Sequence, residues 1–202
     1  MQSIENKILD KIKRTTRGLI LFPEHFSSLG SPEAVRTALH RLVKKKEITR
    51  VAQGIYVRPK VSELIGEILP TAEEVAAAIA KRDRIRTVPT GGYALNALGL
   101  CNQVPMKVVL LTDGSPRIVK VGKRTIKFKR ASPKTMLAKG RVSRLVIQAI
   151  KEIGQGNLTE GEEEKILEIL RKEKPAHILN DISLAPVWIQ KIMKKGLIIN
   201  KI

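Results

Sequence analysis

An α+β fold is predicted for this 202-residue chain on three observations. The first sixty residues order as helix, strand, helix, helix and hairpin. The middle carries β-branched runs around glycine turns with helical patterns beside them, and the stretch from Gly156 onward is helical alone. Strands and helices segregated in this way build a small sheet with helices against it.

The N-terminal elements can be justified in turn. Ile4, Ile8, Leu9 and Ile12 fall on one stripe of a helix over Ser3 to Thr15. Leu19 to Phe22 is a short apolar run that Pro23 breaks, Pro23 to Ser27 is a short second helix, and Leu29 and Gly30 make the turn after it. The next helix begins at Pro32: Ser31 caps the free backbone donors, Pro32 suits the first helical position, and Glu33 favours the positive end of the helix dipole. Val35, Ala38, Leu39, Leu42 and Val43 recur on its packing face, while Arg36, Thr37, His40, Arg41 and Lys44 fall on the other. A hairpin follows, Ile48 to Val51 and Ile55 to Val57, joined by the three residues Ala52, Gln53 and Gly54, with Gly54 supplying positive φ and Pro59 ending the second strand.

This order is that of a winged helix-turn-helix, so residues 1–60 are expected to form a DNA-binding domain and double-stranded DNA is the expected partner. The helix from Ser31 to Lys44 would enter the major groove, with Arg36, Thr37, His40 and Arg41 at base edges or nearby phosphates. Lys44, Arg50, Gln53 and Arg58 would clamp the backbone. Such proteins often bind inverted half-sites as dimers, yet no dimerisation helix is evident, and a monomer or weak dimer that binds cooperatively is expected.

Residues 61–202 read as a second, mixed α+β domain. Thr71 and Glu74 make a capping box for a helix to Lys81, and Gly92 to Gly99 and Arg141 to Ile153 are further helices. Lys107 to Thr112 is an apolar strand, central in a small sheet. Arg117 to Val121 and Thr125 to Phe128 flank the turn at Gly122 and Lys123, which gives a basic hairpin around 107–130. Its alternation places the charges on one face and Ile118, Val119, Val121, Ile126 and Phe128 in the inner or mixed set. Glu162 to Glu164 open one C-terminal helix and Pro186 another, with Trp188 expected in packing rather than in contact with a ligand.

The net charge of +19 makes the chain a partner for polyanions. Residues 1–60 hold 13 basic and 5 acidic side chains, 61–155 hold 17 and 7, and 156–202 hold 8 and 7, so the ending is nearly neutral. No acid occurs between Asp113 and Glu152. Arg117, Lys120, Lys123, Arg124, Lys127, Lys129 and Arg130 fall in that tract and define an auxiliary basic surface, for DNA or for an acidic protein. With 3% aromatic residues there is little to stack unpaired bases, which favours duplex over single strands.

Other chemistry is not encoded. Cys101, the single cysteine, excludes an internal disulfide and suits a reducing cytoplasm, and no apolar run is long enough to span a bilayer. His25, His40 and His177 are isolated, so neither a zinc site nor an acid–base pair assembles. Gly91-Gly92 lacks the rest of a phosphate loop and reads as a tight helix entry, while Asp113-Gly114-Ser115 has no carboxylates downstream to hold catalytic metals. No enzyme activity, cofactor or metal is expected.

The run Gln53-Gly54-Ile55-Tyr56-Val57-Arg58-Pro59 together with Gly92-Tyr93-Ala94-Leu95-Asn96-Ala97-Leu98-Gly99-Leu100 resembles the AbiEi antitoxin family over roughly residues 1–150. The resemblance implies an abortive-infection toxin–antitoxin system, in which the antitoxin represses its own promoter and counters a nucleotidyltransferase toxin. The matching positions are structural, so no active site transfers. A stand-alone winged-helix regulator and an RNA- or ribosome-binding adaptor are the alternatives.

Overall fold

The structure, a computed structural model, describes residues 2–199 and is of the mixed α+β class, with helices at the N-terminus, sheets inside and helices at the C-terminus. The chain divides into two compact units. One takes in the residues up to Ile79 together with Val119–Arg124, the other Ala80–Ile118 and the chain from Thr125 on. The boundary expected at residue 60 therefore falls inside the first unit.

In the first unit α1 (Ile4–Lys13) starts at Ser3, whose hydroxyl accepts the Asn6 N–H. β1 is Ile20–Leu21, and the short second helix, Pro23–Leu29, is of the 3-10 type. α2 (Pro32–Lys44) packs Val35, Ala38, Leu39 and Leu42 with Ile8, Ile12, Phe26 and Ile48 in one apolar cluster. Its C-terminus closes with Lys46 in the left-handed region, φ 59°: the Lys46 and Glu47 N–H groups donate to Val43 and Leu42 carbonyls. This is the pattern usually completed by glycine.

β2 (Thr49–Ala52) and β3 (Ile55–Val57) pair antiparallel, and β1 lies on the other side of β3. Ala52 pairs with Ile55, and the register shifts between Arg50 and Ala52. The connection is thus two residues, Gln53 and Gly54, with an irregularity at Val51, and not the three-residue link expected. A second hairpin, β4 (Lys60–Ser62) and β5 (Gly66–Ile68), had no counterpart in the sequence pattern. α3 (Ala72–Asp83) has the expected capping box, Thr71 Oγ1 accepting the Glu74 N–H at 3.2 Å and Glu74 Oε2 the Thr71 N–H at 2.7 Å.

A four-stranded sheet has the order β6-β7-β9-β8: β6 (Thr87–Pro89), β7 (Lys107–Thr112), β8 (Arg117–Val121) and β9 (Arg124–Arg130), of which Val119–Val121 and Arg124 are counted with the first unit and the rest with the second. β7 is central as expected, antiparallel to β6 and parallel to β9. α4 (Gly92–Ala97) enters at Gly91, φ 66°, the tight entry read from the sequence. α5 (Pro133–Met136) is one turn, and α6 (Arg141–Ile153), α7 (Glu160–Leu170), α8 (Pro175–Ile182) and α9 (Val187–Ile199) form a helical cluster in which Trp188 packs.

One buried charge organises that cluster. Asp181 is fully buried, and its carboxylate accepts the Lys139 and Gly140 N–H groups, both at 2.8 Å, the Asn180 amide at 2.8 Å and the Ser143 hydroxyl. Burial pushes its pKa up, but the hydrogen bonds from Ser143, Asn180, Lys139 and Gly140 outweigh that and hold it below the ordinary carboxylate range. Glu173 does similar work one step on, accepting the Val142 N–H at 2.8 Å. Two carboxylates from elsewhere in the chain thus satisfy the free donors around the start of α6.

Candidate nucleic-acid interface

The face of α2 opposite its packing stripe carries Arg36, Thr37, His40, Arg41 and Lys44, and all five are exposed. At about 100° per residue they cover roughly 140° of the helix circumference. Ser31 accepts the Ala34 N–H at 3.3 Å, so its hydroxyl serves as the helix cap. Thr37, His40 and Lys44 have no side-chain partner among the described residues.

The two arginines are held loosely. Arg36 donates from Nε to the Pro32 carbonyl at 3.2 Å and stands 3.7 Å from Glu33, with both side chains largely in water. Arg41 is 3.9 Å from Glu5, whose nearer partner is Lys45 at 2.5 Å. The exposed Arg36–Glu33 pair is worth under about 1 kcal/mol, and Arg41 stands at long range from a carboxylate that Lys45 already holds, so each guanidinium can turn to a phosphate at small cost.

On the hairpin, Gln53 is exposed and Gly54 has φ +68° with open space around it. Arg50 is exposed and donates to the Ala52 carbonyl at 3.3 Å, across the register shift. Arg58 is different: it is half-buried and donates from Nη1 to the Lys13 carbonyl at 3.2 Å, so it braces the end of α1. Of the nine residues expected at the interface, Ser31 and Arg58 are thus engaged in holding the fold. Lys46, just past the end of α2, is exposed as well and adds positive charge at that end of the helix. The lysine run at positions 44–46 is the signal that reveals it.

The auxiliary basic surface is smaller than expected. Lys120, Lys123, Lys127, Lys129 and Arg130 are exposed. Arg117 is instead turned to Asp83 and sits 5.2 Å from the Phe128 ring centre. Arg124 grips Glu73 through two bonds of 2.8 and 2.6 Å. The charges therefore do not share one face, because two of them find carboxylates on α3. Ile118, expected in the inner or mixed set, is 62% exposed on the side that carries Lys120.

No group of three His, Cys, Asp or Glu side chains able to hold a metal occurs among the described residues. His177 Nδ1 lies 3.0 Å from Glu173 Oε1, within hydrogen-bond distance, and Asp113 is ion-paired with Arg86 at 2.8 Å. No helix among the described residues is long and apolar enough to cross a membrane.

These features define a strongly basic α+β protein whose first unit presents a cationic helix beside a hairpin. Residues 7–178 match a family of unknown function (DUF6088), and the chain belongs to that family. A comparison with curated proteins gives no match.

Proposed function

We propose that the protein is a double-stranded-DNA-binding repressor of the winged helix-turn-helix type, and the antitoxin of a toxin–antitoxin operon whose toxin is a nucleotidyltransferase. The observation that carries the DNA half is the outward face of α2. Three of its polar side chains have no partner among the described residues, two arginines are only loosely held, and the Gln53–Gly54 turn stands in the same unit. The order α1, β1, 3-10 helix, α2, β2, β3 supports it, as does the excess of positive charge. Aromatic placement favours a duplex: Phe22, Phe26, Phe128 and Tyr56 are all buried, which leaves few rings on which unpaired bases could stack. The antitoxin half rests on the resemblance of the segments 53–59 and 92–100 to AbiEi antitoxins.

The test of the DNA half is the affinity of the full-length protein for the duplex upstream of its own gene. Arg36→Ala and Arg41→Ala should each weaken binding by about 1–3 kcal/mol if they meet bases, and Lys44→Ala should reduce the salt dependence by about one phosphate contact. The control is Lys191→Ala, an exposed position on α9. Affinities for Arg36→Ala and Arg41→Ala equal to that of the wild type would remove the groove assignment. For the antitoxin half, full-length protein co-expressed with the product of the adjacent gene should restore growth that this product arrests. Growth that stays arrested would remove that half alone.

A further inference from the structure

A shallow surface cleft in the second unit, open to solvent, is lined by Lys134 and Thr135 of α5 and by Arg144, Gln148 and Lys151 of α6. Arg144, Gln148 and Lys151 stand at i, i+4 and i+7, so one face of α6 delivers all three. No carboxylate lines the cleft. Glu152, next along the helix, turns away to a separate depression beside Gly91.

The three cations differ from most basic groups that the fold gathers close together. Arg82, Arg86, Arg117 and Arg124 each reach an acid, whereas Lys134, Arg144 and Lys151 have no ion-pair partner among the described residues. Partial burial, then the neighbouring Lys134 ammonium, lowers the Lys151 pKa from its ordinary value. Positive charge is thus held together here with nothing to neutralise it.

Donors accompany the charge. Gln148 is 5% exposed, and its Oε1 receives the Thr90 hydroxyl at 3.3 Å, which leaves its amide N–H groups without a protein partner among the described residues. The Thr135 hydroxyl shares a hydrogen with Ser132 at 3.0 Å and keeps acceptor and donor capacity at the rim.

We propose that this cleft binds a phosphate dianion, free or as a terminal monoester, with Lys134, Arg144 and Lys151 neutralising the charge and Gln148 and Thr135 hydrogen-bonding its oxygens. A dianion matches three uncompensated cations better than the single charge of a backbone diester, and charge-assisted hydrogen bonds supply the geometry. The phosphate is either free or the end of a nucleic-acid strand. The site belongs to the second unit, and it stands or falls independently of DNA reading by α2.

The test is side-chain NMR of lysine-labelled full-length protein, titrated at constant ionic strength with inorganic phosphate, a 5′-phosphorylated trinucleotide and its 5′-hydroxyl counterpart. Lys134 and Lys151 signals should shift saturably with inorganic phosphate, and Lys134→Gln and Lys151→Gln should each weaken the effect about five- to tenfold. Lys191→Gln should leave it unchanged. The Trp188 emission of each variant checks that the fold is kept. Shifts with the phosphorylated trinucleotide as well would place the source at a strand end, and shifts with inorganic phosphate alone would place it in the free ion. Equal shifts with the 5′-hydroxyl trinucleotide or with chloride, or glutamine variants that bind as the wild type does, would overturn the proposal.

Discussion

Replacing Asp181 with alanine tests whether a single buried carboxylate holds the C-terminal helices on the start of α6. The substitution strips the acceptor from the Lys139 and Gly140 N–H groups, the second of them in a buried bond. The Ser143 hydroxyl keeps the Gly140 carbonyl, 3.4 Å away, and contributes little to the loss. Each orphaned donor costs about 1–3 kcal/mol, and the relief of no longer burying a charge offsets part of the sum, so a net loss of about 3 kcal/mol is expected. Asp181→Asn keeps one acceptor oxygen and should lose roughly half as much. Trp188 is the sole tryptophan and packs in this cluster, so urea unfolding followed by its fluorescence reads the right unit. The penalty must also depend on pH. Because the folded pKa lies below the unfolded one, the stabilisation is complete above the unfolded value, about 3.9, and fades as pH falls through the folded value. The gap between wild type and Asp181→Ala should therefore narrow in strong acid. A loss at neutral pH of less than about 1 kcal/mol, or a gap that acid leaves unchanged, would refute the reasoning.

Three further outcomes are expected. Leu39→Ala, at a fully buried position of the first unit, should cost about 2–5 kcal/mol in urea unfolding followed by far-ultraviolet circular dichroism, through lost burial and the cavity left. Lys46→Gly should raise stability by about 1 kcal/mol in the same assay, since glycine adopts φ 59° without the penalty that a side chain brings. A double-mutant cycle on Glu73 and Arg124 should give a coupling of about 1 kcal/mol, above that of looser exposed pairs, because both guanidinium ends are used. Burial raises the Glu73 pKa, yet the bonds to Arg124 and the backbone bring it below the ordinary range, so that coupling should be present at neutral pH and fade in acid.

What could be read in advance was local. Ser31, Pro32 and the 3.6-residue apolar period define α2 without reference to any other element, and the reciprocal caps at Thr71 and Glu74 do the same for α3. The outward face of α2 was legible for the same reason. The β4–β5 hairpin was not, since its strands are three residues long and Leu64 and Ile65 are exposed at its turn, against the usual polarity of turns. Arg58 reads as a clamp in sequence, but its partner is the Lys13 carbonyl, 45 positions away. Arg117 and Arg124 are likewise decided by acids 34 and 51 positions distant, which no periodicity reveals. Asp181 is the extreme case: an isolated acid whose meaning lies wholly in where residues 139–143 arrive.

The chain leaves the first unit after Ile79 and returns to it for Val119–Arg124, which has a consequence on the ribosome. A nascent chain has already made α2 and the β2–β3 hairpin when Glu73 emerges, yet the arginine that neutralises Glu73 is still to be translated. At about 5–20 residues per second the roughly 50 intervening residues take some 2.5–10 s. Synthesis thus imposes an order in which the first unit starts early and is finished only after the leading third of the second has been made.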